Sequence, residues 1–235
     1  RSNEVIPEPD SASLKRLPDV VNKRKSATVF LKVTLSMATL CLGLWLGLNI
    51  DSKPSASPPT ANGAVFESPR QLTEFSLLDH RGASFDLPRL TDHWTFLYFG
   101  YAHCPDLCPT TLAALSVAKR VLTQESPQTP VQFVFVSVDP DRDTQERLKN
   151  YVAFFDPSLI GVTGKPDSLK ALSRQFGASY HVPKDRAEGY AVDHTDVILI
   201  VSPKPAFAAV LTPPHDGARI AKDFRGVVAW NEAKN

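Results

Sequence analysis

Apolar and polar positions change rhythm twice near the start of this chain, then settle into an alternation of short segments. Residues 1–28 are polar, with Pro7, Pro9, Pro18 and a basic cluster at Lys23, Arg24 and Lys25. Then comes VFLKVTLSMATLCLGLWLGLNI, Val29–Ile50, whose only charge is Lys32. As a helix, the uncharged part from Val33 to Ile50 covers about 27 Å at ~1.5 Å per residue, close to the roughly 30 Å hydrocarbon core. A cleaved signal peptide is the competing reading. The run is longer than a usual signal-peptide apolar region, and LNIDSKPSASPP offers only Ala56 as a cleavage cue. A single uncleaved transmembrane helix over residues 29–50 is therefore expected. Arg16, Lys23, Arg24, Lys25 and Lys32 precede or open it and only Lys53 closely follows, which puts residues 1–28 in the cytoplasm and residues 51–235 across the membrane. The stretch DSKPSASPPTANGA, 51–64, is rich in Pro, Ser and Ala without apolar period and reads as a flexible linker. Extended, it reaches about 40 Å at ~3.1 Å per residue, enough to let the domain touch something else in the same membrane.

From residue 65 onward the pattern alternates strands and helices. EFSLLDHRGASFDLP reads as two short strands about a turn at Asp79–Gly82. WTFLYFG (94–100), VQFVFVSVD (131–139) and TDVILIVSP (195–203) are continuous apolar runs that suit strands covered on both faces. Helical spacing marks 110–122, 143–155 and 165–176, the second capped by Asp143 or Thr144 and the third closed by Gly177. AFAAVL (206–211) is expected to return beside the third buried strand, and a last helix to run from about Asp216 with Ile220, Phe224, Val227 and Val228 on one face. This order implies a parallel core with helices on both faces and an antiparallel pair closing one edge. The fold class is α/β: a thioredoxin-like domain, residues 65–235, with an extra N-terminal hairpin.

A formal charge of +1 gives no reason to invoke nucleic acid, and three cysteines are too few for a disulfide scaffold. Cys41 lies inside the apolar run and reads as filler. The other two, Cys104 and Cys108 in YFGYAHCPDLCP, follow the first core strand where a helix begins. Open α/β sheets place ligands there, and a helix N-terminus favours thiolate over thiol. Spacing alone leaves a redox pair, a metal site and a structural disulfide open. Among the histidines, His80 is expected to be solvated in its turn, His93 to pack at a strand end, and His181 and His215 to lie in loops with nothing tying them to the cysteines. His103, adjacent to Cys104, should point away from the sulfurs. His194, in YAVDHTDVILIVSP, directly precedes the third core strand and so faces the cysteine loop. Two thiolates and an imidazole suit copper or zinc. A structural zinc would want a fourth ligand, and none is evident. Three ligands with an open side suit copper that is handed on. Asp193 is placed to orient the imidazole.

The stretches FLYFGYAHCPDLCPTTL, VFVSVDPDRDTQERLKNYV, LIGVTG and VDHTDVILIVSP resemble, in order, the Sco/SenC family of thioredoxin-like copper-binding proteins of cytochrome oxidase assembly. The resemblance implies Cys104, Cys108 and His194 as ligands of a copper ion, Cu(I) or Cu(II), and gives Asp139 a place near the site, with a salt-bridge or capping role equally open to it. It implies a role in maturing the dinuclear copper centre of oxidase subunit II. The implied partners are that subunit, a thiol reductant for the cysteine pair and another copper chaperone. The expected location is a bacterial inner membrane with the domain in the periplasm; the mitochondrial inner membrane facing the intermembrane space is the alternative. A thiol–disulfide oxidoreductase that keeps target cysteines reduced is the competing function. A peroxidase would need a base or arginine activating Cys104, and no such motif is present.

Overall fold

The computed structural model describes residues 19–49, 58–187 and 189–234. The expected cytoplasmic segment up to residue 18 and half of the linker, 51–57, lie outside the described residues. Two compact units result, dividing between Ala56 and Ser57.

The first unit holds one helix, α1 (Asp19–Asn49). Leu31, Val33, Leu35, Met37, Leu40, Leu42, Leu44 and Trp45 are all exposed on it. Among the described residues no helix is long and apolar enough to cross a membrane. The transmembrane helix expected over residues 29–50 is thus not shown; Ile50 and several side chains of that run fall outside the described residues.

In the second unit, β1 (Gly63–Gln71), β2 (Ser76–Asp79), β3 (Ser84–Asp86), β4 (Trp94–Gly100), β5 (Val131–Ser137) and β6 (Ile160–Thr163) come first. Between them lie α2 (Leu107–Glu125) and α3 (Gln145–Phe155). There follow α4 (Pro166–Phe176), β7 (Tyr180–His181), β8 (Asp193–His194), β9 (Ile198–Val201), β10 (Ala206–Leu211) and α5 (Gly217–Glu232). Eight strands form one sheet in the order β1-β10-β9-β4-β5-β6-β2-β3, while β7 and β8 pair separately. Only β4–β5 and β5–β6 are parallel. The third apolar run lies antiparallel to β4 and pairs antiparallel with β10, the expected antiparallel pair, with β1 added beyond it at the edge. The hairpin β2–β3 turns as expected and adds to β6 at one edge.

Every residue of β4 is buried, and its two-residue period sorts the helices between the faces. Trp94 and Phe96 meet Phe224 of α5, and Phe96 stacks on Phe133 with centroids 4.5 Å apart. Phe99, on the opposite face, meets Phe176 of α4. Phe135, level with Tyr98, meets Tyr151 of α3. Helices α5 and α3 thus cover one face and α4 the other, while α2 packs on α5 and α3. The caps follow the sequence: Thr144 accepts from Arg147 N at 3.2 Å, Asp216 accepts from Arg219 N at 2.8 Å, and Gly177 takes φ 66° after α4.

Gly63 and Ala64, read as linker, belong to the sheet through pairing with Leu211 and Val210. A Cβ on Gly63 would lie 2.0 Å from the Val210 carbonyl oxygen, so only glycine admits this approach. Asn62 just before it donates its backbone N–H to Asp223 at 2.9 Å and its amide to the Thr212 carbonyl at 2.6 Å.

Candidate metal centre

Strand β4 ends at Gly100, and the chain turns through residues 101–106 before α2 begins. Cys104 therefore precedes the helix and Cys108 sits in its first turn, rather than both lying on one helical face. The N–H of Cys108 points at Cys104 Sγ, 3.4 Å away. That sulfur takes the place of a capping oxygen, since Asp106 makes no side-chain cap. The Cys104 N–H in turn donates to the Tyr101 carbonyl at 3.2 Å.

Cys108 is fully buried and Cys104 half-buried. A Cβ on Gly100 would sit 2.7 Å from Cys108 Sγ and 2.8 Å from Phe135 Cε2; the glycine makes the room in which that sulfur lies.

The third side chain arrives from the other end of the domain sequence. His194 ends β8, paired opposite Tyr180. Its Nε2 lies 3.3 Å from Cys108 Sγ, and its Nδ1 faces the Thr195 carbonyl at 3.4 Å. Tyr98 and Tyr101 meet the imidazole edge-on at 5.9 and 6.0 Å between centroids. Ligand atoms of Cys104, Cys108 and His194 all lie within 4.8 Å of one another. Among the described residues no other group of three or more His, Cys, Asp or Glu gathers this way. All three cysteines of the chain are free thiols.

Burial pushes the Cys108 thiol well above its ordinary value, with the neighbouring Cys104 adding to the rise. Burial pushes the His194 imidazole down, against smaller upward pulls from the Thr195 carbonyl, Asp196 and Asp193. The imidazole is thus neutral near neutral pH, with a lone pair free to bind a metal, while a proton on Cys108 must leave first. Two sulfurs and one nitrogen with no hard oxygen donor form a soft set, which fits copper(I) and, with a further ligand, zinc.

Asp193 is exposed, and the Thr195 carbonyl, not its carboxylate, faces His194 Nδ1. Asp139 is buried, paired to Arg142 at 2.5 Å and accepting from the Tyr190 hydroxyl at 2.7 Å. His103 turns from the sulfurs to Asp143, 3.2 Å away. Asp143 is buried and also accepts from Ser137 Oγ at 2.6 Å and Ala102 N at 2.7 Å. It therefore shapes the cysteine loop, while Thr144 alone caps α3. His80 is half-buried rather than free in its turn: its Nδ1 accepts from Gly161 N at 3.0 Å, and burial lowers its pKa. His93 keeps to its strand end, 2.9 Å from the Thr91 carbonyl. His181 lies in β7, paired opposite Asp193.

His215 is one of the residues the sequence reading missed. Its side chain is 4% exposed, with Nε2 3.5 Å from Asp196 Oδ1. Asp196 also accepts from the Tyr98 hydroxyl at 3.0 Å and Thr111 Oγ1 at 3.4 Å. Burial works to raise its pKa, but His215 and Tyr98 outweigh that and hold it low. Tyr98 touches the His194 ring, so this carboxylate lies one side chain behind the imidazole. No sequence signal joined His215 to the site, because it comes from the loop after β10.

A thioredoxin-like domain with two cysteines at the β4–α2 junction and a histidine facing them defines a class of thiol-based metal or redox proteins. The chain belongs to the SCO1/SenC family, whose pattern matches residues 66–229. It is 35% identical over 184 residues to the mitochondrial protein SCO2 homolog of Bos taurus, covering 78% of this chain and 69% of that one. It is 36% identical over 169 residues to the mitochondrial protein SCO1 homolog 1 of Arabidopsis thaliana, covering 72% of this chain and about half, 49%, of that one. Among solved structures, that of Arabidopsis thaliana ScoI with copper bound matches with TM-score 0.58 and 35% identity, over 70% of this chain and 99% of that one.

Proposed function

We propose that this protein is a membrane-anchored copper carrier. It holds one copper ion as cargo through Cys104, Cys108 and His194, and serves the maturation of the dinuclear copper centre of cytochrome c oxidase subunit II. The observation that carries this reading is the convergence of two sulfurs and an imidazole nitrogen within 4.8 Å. Thiol exchange needs the sulfurs alone; a soft three-coordinate ion needs the nitrogen as well. The copper-bound relative supports copper over zinc as the cargo. The residues fit a donor rather than a permanent store, because the exposed residues Pro105, Asp106 and Leu107 leave the Cys104 side of the triad open to a partner.

Anchoring through residues 29–50 is part of the proposal, supported by the apolar, outward-facing side chains from Leu31 to Trp45. The bacterial inner membrane, with the domain in the periplasm, and the mitochondrial inner membrane, with the domain in the intermembrane space, share this topology; the curated relatives are mitochondrial. Both compartments bring in a thiol reductant, because a Cys104–Cys108 disulfide has no thiolate to offer a metal. A second copper chaperone is the proposed upstream donor.

A second reading rests on the unequal burial of the two cysteines. Half-exposed Cys104 is placed to attack a target disulfide and buried Cys108 to resolve the mixed disulfide, two electrons passing to the target and the pair being returned to dithiol by an external thiol. The deciding variant is His194→Ala. Copper carriage predicts that it cuts copper affinity at least about 10–100-fold while leaving dithiol–disulfide exchange intact. Wild-type copper affinity and stoichiometry in that variant would leave only the exchange reading.

A further inference from the structure

The turn after β5 grips both halves of the metal centre, and it does so with different residues. Asp143 takes the cysteine side through Ala102 N and His103. The histidine side is reached through Tyr190. This residue lies in the 182–192 excursion between β7 and β8, a pair only two residues long. So short a ladder is marginal by itself. Ser179 and Thr195 tie its base, the Thr195 N–H donating to the Ser179 carbonyl at 2.9 Å. Beyond that base the excursion is held to the turn.

The holding contacts converge on one side chain. The Tyr190 hydroxyl donates to Asp139 Oδ1 at 2.7 Å, and Arg142 Nε donates to Asp139 Oδ2 at 2.5 Å. Arg142 Nη1 donates to the Tyr190 carbonyl at 2.8 Å. The guanidinium lies 3.4 Å over the Tyr190 ring and 5.7 Å from the centroid of Tyr101. Tyr101 in turn packs edge-on against His194. Tyrosine, arginine, tyrosine and imidazole thus form one continuous pile from the turn to the ligand. An exposed pair, Arg186 with Asp141, fastens the same excursion to the same turn further out.

We propose that Tyr190, clasped by Arg142 and Asp139, is a latch that sets His194 in reach of the two sulfurs. With the latch closed, the imidazole stands at Cys108. With it open, the metal is left on two sulfurs, the state from which an incoming ligand of a partner takes it most easily. Tyr190 and Arg142 are positioning residues and touch no metal. The inference rests on the copper reading above for its function but not for its geometry.

The test uses the full chain in detergent, wild type beside Tyr190→Phe, which keeps the ring on the guanidinium and removes only the hydroxyl. Arg142→Lys is the second variant; it keeps the charge beside Asp139 and loses the bond to the Tyr190 carbonyl and the stack. Amide exchange is followed in the copper-free protein, and copper(I) affinity by competition with a chelator under anaerobic conditions. The expected result in both variants is faster exchange confined to residues 182–194, unchanged exchange in β4 and β5, and copper affinity lower by about tenfold, no more than the low end of what losing a ligand's direct partner costs, since Tyr190 and Arg142 act on His194 through Tyr101. Wild-type exchange in 182–194 in both variants overturns the latch. So does faster exchange with wild-type copper affinity, since the excursion would then not govern the ligand. If the wild type itself takes up no copper, the carrier reading fails, and copper-free exchange alone decides whether Tyr190 holds the excursion.

Discussion

At the scale of single residues the site depends as much on what is missing as on its ligands. Gly100 leaves the space that Cys108 Sγ fills. We expect Gly100→Ala to push that sulfur from its seat and to weaken copper binding about 10–100-fold, with a smaller loss of thermal stability; competition against a chelator measures the first and thermal unfolding the second. Protonation gives a second prediction. Burial raises the Cys108 thiol, so the metal-free site holds a proton that the metal-bound site does not. Copper affinity should therefore climb as pH rises through the neutral range, by roughly tenfold per unit for each displaced proton. His194, pushed down by burial, has already lost its proton there and adds no slope. A flat profile would mean that no thiol proton is displaced. The three ligand candidates were legible in the sequence because residue type and order carry them. Tyr190 and Asp196 were not, because their roles arise from contacts across 48 and 98 positions of chain, Arg142 with Tyr190 and Tyr98 with Asp196; His215 was not, because it reaches the site only through Asp196.

At the scale of elements, what the sequence spelled out was what a local pattern can carry. The apolar runs of β4, β5 and β9, the cap at Asp143 or Thr144, the start of α5 near Asp216 and the Gly177 stop all came from neighbours in sequence. Strand direction did not: β9 runs antiparallel to β4 although a buried parallel and a buried antiparallel strand read alike. β6 is four residues long and contains Gly161, whose bare Cα admits Leu148 and Val152 of α3. β7 and β8 exist only through their mutual register. The strand that carries the site, β4, is also the one whose packing the fold leans on. Phe96 is fully buried between Phe133 and Phe224. Phe96→Ala should cost about 3–5 kcal/mol, as for other large-to-small core changes. Denaturant unfolding checks it: a midpoint within error of wild type would mean that the stack contributes no more than a surface contact.

At the scale of the whole molecule, the chain divides at Ala56 and Ser57 into a helical unit and the site-bearing domain. The core, the cysteine loop and the histidine excursion all lie in the second unit, which is self-sufficient in buried contacts. If the first unit serves only as an anchor, a chain starting at Ser57 should fold, bind copper as the full chain does, and partition to the soluble fraction, while the full chain stays with membranes after alkaline washing. Recovery of the full chain in the soluble fraction would remove the anchor. The tether length, the compartment and the partner are properties of an assembly, and one chain's local patterns carry them only through family resemblance.

The central claim is that one metal ion is shared by two sulfurs and one imidazole. X-ray absorption at the copper edge, on the full chain reduced and loaded anaerobically, reads that shell directly. The account predicts one copper per chain with two sulfur neighbours and one nitrogen neighbour at bonding distance, the nitrogen lost in His194→Ala. A shell of sulfur alone in the wild type, or a nitrogen that persists when His194 is replaced, would contradict it.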